Sequence, residues 1–533
     1  MRIHVQGNLC CYGDFMTKTI SCKELAATMS EDNLFAVFDV RERGEFNNEQ
    51  ILFSTSLPRS QIEFRIAELV PNSTIPIIVY DEGGPRAELA GQTLTELGYT
   101  DVALLQGGLK AWGAHGHETV SGVNVPSKAF GEKVHHDRSV PDLAPEELKK
   151  LIDDNPALPI LDMRTPEEYG RFCIPGGVNV PGGELIHWAG ELRQKPMVIV
   201  NCAGRTRSII GAAGLRRLGL NNVRALKNGT MGWVLAGYQL EQKPARFGVA
   251  KKDPNGAQQL ALRIAREENI AWTTAGQLAV SLAKKPHDLI YLIDVRSEAE
   301  FAAGHIDGSI NVPGGQAVQR SDDFVAVRNG QIVFVSDQSA RAVMTAYWYG
   351  QMGFKNVCVL QGGLDAWSAR GGELVGGATV AEPLGLAAAK QSASFVDALT
   401  LGKQLSDAAL MLLDVSSSLE YEAAHVPGAK WLPRGWADIK VPELCADRSK
   451  AIVVSCADGR QSIFAARQLK RAGYGDVRVL EGGLRSWNGA GFATASGLTD
   501  CLLPANDVVL SPSIRGNKED MQKYLDWEVK LKH

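Results

Sequence analysis

Residues 104–112, LLQGGLKAW, form a phrase that recurs three more times along the chain. The other copies are ALKNGTMGW at 225–233, VLQGGLDAW at 359–367 and VLEGGLRSW at 479–487. The tryptophans that end the four copies are separated by 121, 134 and 120 residues. These periods exceed those of solenoid repeats and match the length of a small domain, so the sequence predicts four related domains.

Two predicted strands accompany each copy of the phrase. The first leads into an acidic turn, as in LPILDMRTPEEY, and carries an aspartate at the same place in each domain: Asp39, Asp162, Asp294 and Asp414. The second is a β-branched run such as MVIVNC, and the four runs end at Asp81, Cys202, Ser336 and Cys456. Such runs, each leading into a helical pattern, predict central strands of a parallel sheet in an α/β fold.

The spacing after the second strand is the same in all four domains. A glycine follows after 17 residues and the repeat tryptophan after 31. The glycines are predicted to end helices in the left-handed conformation: Gly98, Gly219, Gly353 and Gly473. The tryptophans are predicted to anchor the domain cores.

Composition excludes several classes of protein. The chain has 533 residues, of which 45% are hydrophobic and 22% charged, as expected for globular domains. Its net charge of -4 argues against a general affinity for nucleic acid or anionic membranes. No apolar run approaches a membrane span and the start lacks a signal-peptide pattern, so a cytoplasmic location is expected. The nine cysteines form no CxxC pair or zinc pattern, which favours reduced thiols and no metal site.

The repeat also suggests domain boundaries. The predicted segments are an extension at 1–16, domain 1 at 17–120, domain 2 at 138–245, domain 3 at 262–376, domain 4 at 392–497 and a tail at 498–533. Residues 241–259 are predicted to be the longest linker, in line with the longest period. The tail contains a predicted terminal helix, KEDMQKYLDWEVKLK, to which the sequence assigns no role.

The loop after the second strand of domain 2 has the residues needed for nucleophilic chemistry. A short loop between a strand and a helix N-terminus points backbone N–H groups inward and cradles an anion. A thiol at its base is shifted toward thiolate by the helix terminus and by nearby guanidinium groups, which also suit an oxyanion. The predicted nucleophiles are Cys202 and Cys456. The predicted substrate-binding residues are Ala203, Gly204, Arg205, Thr206 and Arg207 in domain 2, and Ala457, Asp458, Gly459, Arg460 and Gln461 in domain 4. A lone cysteine at a strand end is more often a packing residue, and only the repeated loop reverses that expectation.

The whole set of motifs, DVRxxxEF, GHIDGSINVPGG, the cysteine loop and LQGGLxAW, resembles the rhodanese sulfurtransferase superfamily from about residue 17 to 497. The resemblance implies four domains with parallel five-stranded sheets flanked by helices, and a loop cysteine that carries sulfane sulfur as a persulfide. It also implies that domains 1 and 2, and domains 3 and 4, pair as two tandem enzymes, each with a non-catalytic first domain and no cofactor.

Several positions depart from the family pattern. Asp81 and Ser336 replace the thiol in domains 1 and 3, so these domains are predicted to be inactive partners that help to wall the active clefts. In domain 4, Gln461 replaces the last arginine of the loop. Ser416 replaces the arginine of the DVRxxxEF motif, the opening motif of each domain. These changes make activity at Cys456 less secure than at Cys202.

The predicted reaction is transfer of sulfur from thiosulfate to cyanide or a thiol, with an acceptor protein as a further partner. Three alternatives remain open: a 3-mercaptopyruvate or persulfide sulfurtransferase or carrier, a non-catalytic binding module, and a phosphatase or arsenate reductase. The last is disfavoured because related phosphatases place five residues between the loop cysteine and arginine, whereas four separate Cys202 from Arg207. Cys173 is a candidate resolving thiol, with packing as the preferred interpretation.

Overall fold

The computed structural model describes residues 9–12, 15–248, 253–284, 289–377, 382–405 and 410–531. For 9–12, 15–17 and 515 only the backbone is described. The prediction of an extension at 1–16 lies partly outside these ranges. Within them, the extension contributes to the first sheet instead of preceding it.

Domain 1 has a six-stranded sheet in the order β1-β2-β7-β6-β3-β5, with β1 antiparallel to β2 and the other pairs parallel. Its strands are β1 Leu9–Tyr12, β2 Phe15–Ile20, β3 Ala36–Asp39, β4 Gln50–Ile51, β5 Thr55–Ser56, β6 Ile77–Tyr80, β7 Val102–Leu105 and β8 Thr119–Val120. Its helices are α1 Cys22–Met29, α2 Arg43–Asn48, α3 Ile62–Leu69, α4 Arg86–Glu96 and α5 Gly108–Ala114. The predicted boundary at residue 17 therefore falls inside β2.

Domain 2 follows α6, Val125–Asp137, and has a parallel five-stranded sheet in the order β12-β10-β13-β14-β9. Its strands are β9 Asp142–Leu143, β10 Ile160–Asp162, β11 Phe172–Cys173, β12 Val178–Asn179, β13 Val198–Asn201, β14 Val223–Leu226 and β15 Glu241–Gln242. Its helices are α7 Pro145–Asp154, α8 Pro166–Arg171, α9 Leu185–Leu192, α10 Thr206–Arg217 and α11 Gly229–Leu235. The fully buried strand β13 leads directly to Cys202.

Domain 3 follows α12, Pro254–Glu267, and has the parallel order β16-β20-β19-β17-β18. Its strands are β16 Ala271–Thr273, β17 Ile290–Asp294, β18 Ile310–Asn311, β19 Gln331–Val335 and β20 Val357–Leu360. Its helices are α13 Ala275–Ala283, α14 Glu298–Ala303, α15 Gly314–Gln319, α16 Ser321–Phe324, α17 Ala340–Gln351 and α18 Gly363–Ala369. Helix α12 occupies much of the predicted linker and packs against α9 and α17, so it joins domains 2 and 3.

Domain 4 follows α19, Leu386–Ser392, and has the parallel order β21-β25-β24-β22-β23. Its strands are β21 Ser394–Val396, β22 Leu410–Asp414, β23 Lys430–Trp431, β24 Ala451–Ser455 and β25 Val477–Leu480. Its helices are α20 Ala398–Gln404, α21 Ser418–Ala423, α22 Ala437–Leu444, α23 Arg460–Arg471 and α24 Gly483–Gly489. The tail adds α25, Pro512–Arg515, and the predicted terminal helix α26, Lys518–Glu528.

The repeated glycines and tryptophans have the predicted roles. The four glycines after α4, α10, α17 and α23 have φ between 87° and 98°, a conformation that side chains with a Cβ rarely adopt. Each repeat tryptophan donates its indole N–H to a backbone carbonyl six residues later, over 2.9–3.0 Å. The tryptophan is buried in domains 1, 2 and 4 and partly buried in domain 3, so the phrase is a structural element of each domain.

The structure corrects the expected pairing of domains. One compact unit consists of Met1–Val123 and Ala381–Val509, which are domains 1 and 4. The other consists of Asn124–Val380 and Leu510–His533, which are domains 2 and 3 with the tail. Each unit therefore contains one domain with a loop thiol and one without.

Buried arginines explain this pairing. In the first unit, Arg434 of domain 4 pairs with Glu63 of domain 1, and Arg59 of domain 1 pairs with Asp438 of domain 4. In the second unit, Arg341 of domain 3 donates to Glu184 of domain 2 over 2.8 Å. A buried guanidinium needs a carboxylate partner, and each of these three arginines has one in the other domain of the same unit. Arg341 also pairs with Glu300 in its own domain.

Candidate active site

Cys202 lies at the carboxyl end of β13, at the base of the loop that enters α10. Its side chain is buried, and Sγ lies 3.5 Å from Oγ of Ser208. The start of α11 fixes the loop, because the backbone N–H groups of Thr230 and Met231 donate to the carbonyls of Cys202 and Ala203. A Cβ added to Gly229 would lie 2.2 Å from the Cys202 carbonyl oxygen, which requires glycine there.

Cys456 has the same surroundings in domain 4. It follows β24 and is buried, with Sγ 3.4 Å from Oγ of Ser462. The backbone N–H of Ser462 also points at Sγ, over 3.4 Å. Gly459, in the loop, has a φ of 90° and immediately precedes α23. The structure therefore brings each predicted thiol to the N-terminus of a long helix.

Ser208 and Ser462 are functional candidates that the sequence analysis missed. Each stands six positions after its cysteine, whereas the domains without a thiol have Ala87 and Ala342 at that place. The signal was therefore present in the repeat itself, as a serine that accompanies the cysteine. In both loops the cysteine thiol donates to the serine oxygen, while the serine hydroxyl donates to the carbonyl of Arg205 or Gly459. When the cysteine loses its proton, the hydroxyl can turn to donate to the thiolate and stabilise it.

We expect Ser208→Ala to slow sulfur loading of Cys202 by about 10-fold or more, because a hydrogen bond to a charged group contributes about 1.5–3 kcal/mol. The measurement is the initial rate of persulfide formation in a Cys456→Ser background. Ser462→Ala in that background is the matched control and should leave the rate unchanged. Equal rates for the Ser208→Ala and Ser462→Ala variants would show that Ser208 does not assist the loading of Cys202.

Arg205 and Arg207 already have carboxylate partners. The Arg205 guanidinium donates to Glu132 on α6 over 2.6 and 2.8 Å, and both side chains are buried. Arg207 donates to Glu168 on α8 over 2.7 and 2.8 Å. Burial alone would raise the pKa of Glu168, but the Arg207 guanidinium lowers that pKa to about 2, so the pair is charged.

The last arginine of the loop forms the same ion pair in domains 1, 2 and 3. Arg86 in domain 1 binds Glu45, and Arg341 in domain 3 binds Glu300, in the same way that Arg207 binds Glu168. Domains 1 and 3 keep this pair although neither has a loop thiol. In the structure Arg207 joins the loop to Glu168 of the opening strand-and-turn motif, and contact of Arg207 with donor oxygens stays a prediction.

Domain 4 shows what replaces this ion pair. Gln461 donates to the Ser60 carbonyl of domain 1 and accepts from Arg434, so it contributes to domain pairing. Within the loop, Arg460 is bound by the Asp458 carboxylate through its backbone N–H and its Nε, over 3.0 and 2.6 Å. The departures of domain 4 from the family pattern leave the thiol and its serine in place.

Burial raises the pKa of the Cys456 thiol above its ordinary value, and hydrogen bonds from Ser462 offset this only in part. Because the thiolate is the nucleophile, we expect the loading rate of Cys456 to keep rising between pH 7 and 9, by up to about tenfold per pH unit. Initial rates in a Cys202→Ser variant at pH 7, 8 and 9 give the profile. A plateau below pH 8 would contradict this expectation.

The loops of domains 1 and 3 show what replaces the thiol. In domain 1, the Asp81 carboxylate accepts the backbone N–H groups of Gly83, Gly84 and Ala87 over 2.6, 2.9 and 3.0 Å. The loop geometry thus converges on an anion, as predicted for this fold, but the anion is the protein's own. In domain 3, Ser336 is fully buried and cannot form a persulfide.

Thr206, the first residue of α10, contacts the C-terminal helix. Its hydroxyl and its backbone N–H point to Oε1 of Glu528, over 2.5 and 3.4 Å. Gly204, two residues earlier, faces the same helix. A Cβ there would lie 3.1 Å from Oε2 of Glu528 and 3.4 Å from Cε1 of Tyr524. No sequence pattern indicates that the tail reaches this loop.

Cys173 has the environment of a packing residue. It lies in β11, is fully buried, and is close to the Ile174 carbonyl. Burial and the nearby Glu241 carboxylate raise the pKa of the Cys173 thiol to about 11, which disfavours the thiolate that a resolving cysteine needs.

Two kinds of feature are absent from the described ranges. No group of three or more His, Cys, Asp or Glu residues there is arranged to hold a metal ion. None of the helices in the described part of the chain is long and apolar enough to cross a membrane.

Comparison with known proteins agrees with this architecture. The sequence profile of the rhodanese-like domain matches residues 21–115, 144–236, 274–370 and 397–490. A crystal structure of a thiosulfate sulfurtransferase from Pseudomonas aeruginosa is 37% identical, with a TM-score of 0.89 over 96% of this chain and 97% of that one.

Two curated relatives match single stretches. One is "Putative sulfur carrier protein YrkF" of Bacillus subtilis, 33% identical over 24% of this chain and 72% of that protein. The other is a sulfurtransferase of Allochromatium vinosum, 31% identical over 17% of this chain and 85% of that protein. With four profile matches that cover most of its length, the chain belongs to the rhodanese-like family.

Proposed function

We propose that this protein transfers sulfane sulfur from thiosulfate to cyanide or a thiol, through persulfides on Cys202 and Cys456. The observation that carries the proposal is the buried thiol beside a serine hydroxyl, at the base of a helix-capping loop, in two of the four domains. The similarity to a thiosulfate sulfurtransferase over nearly the whole chain supports the same reaction class.

The reaction needs no oxidant or reductant. The cysteine thiolate attacks the outer sulfur of thiosulfate, so an S–S bond forms to Sγ while the S–S bond of thiosulfate breaks. Sulfite leaves with the electron pair of that bond. Cyanide or a thiolate then attacks the outer sulfur of the persulfide, and the cysteine thiolate is released, which makes a two-step exchange.

The chain's own groups supply the stabilisation for both steps. Loop N–H groups point toward the position that Asp81 occupies in domain 1, and we assign the corresponding groups of Gly204, Arg205 and Ser208 to the persulfide and its leaving anion. Arg205 and Arg207 act through the loop, because their guanidinium groups are paired with Glu132 and Glu168.

The loops of domains 2 and 4 differ in sequence, but the arginines of both loops are paired with carboxylates. The basic residues of the domain 2 loop are paired by carboxylates, and so is Arg460 in domain 4. Thiosulfate is our proposed donor for both cysteines because of the similarity to a thiosulfate sulfurtransferase. For Cys456, where the Asp458 carboxylate lies 4.0 Å from Sγ, 3-mercaptopyruvate is the second candidate.

Domains 1 and 3 are proposed to be inactive partners of the thiol domains. Asp81 fills its own loop with a carboxylate, and Ser336 has no thiol to load. In each unit the inactive domain supplies side chains to the interface with its active neighbour, such as Glu63 to Arg434 and Arg341 to Glu184.

Intact-protein mass spectrometry tests this function. After thiosulfate, the mass should rise by one sulfur atom per loaded cysteine, with sulfite released in equal amount. Cyanide should return the mass to its starting value and release thiocyanate. The same measurement with 3-mercaptopyruvate separates the two donors. No sulfur adduct with either donor would overturn the proposal and favour a binding module.

A further inference from the structure

Helix α26 is packed onto the domain that contains Cys202. Asn517 caps its N-terminus by accepting the backbone N–H groups of Glu519 and Asp520. Met521 and Leu525 are buried and form an apolar cluster with Met231, which lies in α11 just behind the loop. The Lys128 ammonium of α6 lies over the rings of Tyr524 and Trp527, at 4.9 and 4.8 Å from their centroids. The helix is therefore anchored by apolar and cation–π contacts.

The last turn of α26 places a carboxylate at the mouth of the loop. Glu528 is 1% exposed and reaches Thr206, which lies 322 residues earlier in the chain. Its Oε1 accepts from the Thr206 hydroxyl, while Oε2 is buried with no hydrogen-bond partner among the described residues. A buried carboxylate oxygen without a donor is unusual, because it loses its water contacts without replacement.

The equivalent loops of domains 1 and 4 each contain a carboxylate of their own. In domain 1, Asp81 fills the loop and accepts three of its N–H groups. In domain 4, Asp458 accepts the N–H of Arg460 at the same loop. Loops of this kind therefore bind carboxylates in this protein. In domain 2 the carboxylate comes from helix α26, which is not part of the loop.

We propose that Glu528 is a specificity-determining residue of the Cys202 site, whose carboxylate holds the place of an oxyanionic donor and must move before that donor binds. This inference rests on the proposed function, in which the donor carries negative charge. A dianion and the Glu528 carboxylate repel each other in a water-poor site, so the two exclude each other. Glu528 thus acts as an internal competitor against anionic donors.

The groups around Glu528 are consistent with a contact that can open. It faces Lys128 and Glu132 of α6, Thr206 and Arg205 of the loop, and Tyr524 of its own helix. Burial raises the pKa of Glu528, and Lys128 and Thr206 offset this only in part. The contact of Glu528 with the loop therefore involves a carboxyl group whose charged form is disfavoured by burial.

The first test compares thiosulfate kinetics of Glu528→Gln and the parent in a Cys456→Ser background. Gln keeps the shape and removes the charge, so KM for thiosulfate should fall by about tenfold with kcat changed by less than about twofold. Glu519→Gln, on the exposed start of the same helix, is the matched control and should behave as the parent. An unchanged KM in Glu528→Gln, or a fall in kcat alone, overturns the proposal.

The second test does not depend on sulfur transfer. Alkylation of Cys202 by anionic iodoacetate and by neutral iodoacetamide is followed by peptide mass spectrometry in the same variants. Glu528→Gln should raise the ratio of the iodoacetate rate to the iodoacetamide rate by about tenfold, because only the anion is repelled. Leu525→Ala, which weakens the helix contact, should raise both rates.

The two tests separate the two ideas. A raised alkylation ratio without any sulfur loading from thiosulfate would sink the thiosulfate donor and support the role of Glu528. Sulfur loading in parent and variant alike, with the same KM and the same alkylation ratio, would support the sulfur transfer and overturn the role of Glu528.

Discussion

The double variant Cys202→Ser, Cys456→Ser is expected to lose sulfur transfer from thiosulfate to cyanide by at least about 10⁴-fold, to near the uncatalysed rate. The nucleophile forms the covalent intermediate, so binding and loop N–H groups alone cannot replace it. Serine keeps the size and the hydrogen bond to Ser208 or Ser462, so the loss reports on the sulfur atom and not on folding. The measurement is thiocyanate formation at saturating thiosulfate.

The single variants divide the activity between the two loops. Cys202→Ser should retain the contribution of domain 4, and Cys456→Ser that of domain 2, with one sulfur adduct remaining in each. Cys445→Ser, a partly exposed thiol at the end of α22, is the control and should keep the parent rate. Undiminished transfer in the double variant would exclude both cysteines as carriers.

The second large effect is on stability, and it concerns the aspartate of the opening motif. Asp162 and Arg164 form a bidentate pair, over 2.9 and 2.7 Å, with 0% and 1% of the side chains exposed. Asp162→Ala would leave the Arg164 guanidinium buried without its carboxylate. Removing one partner of such a pair lowers the free energy of unfolding by about 3–5 kcal/mol, so domain 2 should be strongly destabilised.

Domain 4 provides the matched control for this prediction. Ser416 stands where Arg164 stands, and Asp414 accepts from the backbone N–H of Ser416 and from the Ser455 hydroxyl. Asp414→Ala removes a carboxylate but leaves no buried cation, so its effect should be smaller, about 1–3 kcal/mol. Hydrogen exchange of the β10 and β22 amides measures the two domains separately. Equal losses in both variants would show that the buried cation is not the cause.

The repeat predicted much of the fold because its signals are local. A glycine 17 residues after the strand end reports the end of a helix, and the tryptophan at 31 reports a core position. Both depend on backbone conformation and packing within one domain. The glycine prediction is confirmed in all four domains, and the tryptophan is buried in domains 1, 2 and 4. The six-stranded sheet of domain 1 was missed, because residues 9–12 pair with a neighbouring strand without any counterpart in the other domains.

For the site, the positions of the two thiols agree with the sequence prediction, whereas the contacts of the loop arginines were not foreseen. The two thiols follow directly from a strand end and a loop, so Cys202 and Cys456 lie where the sequence placed them. The loop arginines were expected to face a donor, but Arg207 binds Glu168, just as Arg86 binds Glu45 in a domain without a thiol. A comparison of the four loops for retained arginines would have revealed this structural role from sequence.

By itself, the sequence determined four rhodanese-like domains, two of them with a cysteine at the end of the central strand, since periodicity, turn residues and a strand-end cysteine are local features. Only the tertiary structure decided that domain 1 pairs with domain 4 and domain 2 with domain 3, and that Glu528 lies against Thr206. The physical reason is that a buried charge takes whichever partner folding brings within hydrogen-bond distance. Thr206, the partner of Glu528, lies 322 residues away in the chain, so no local sequence pattern predicts the contact.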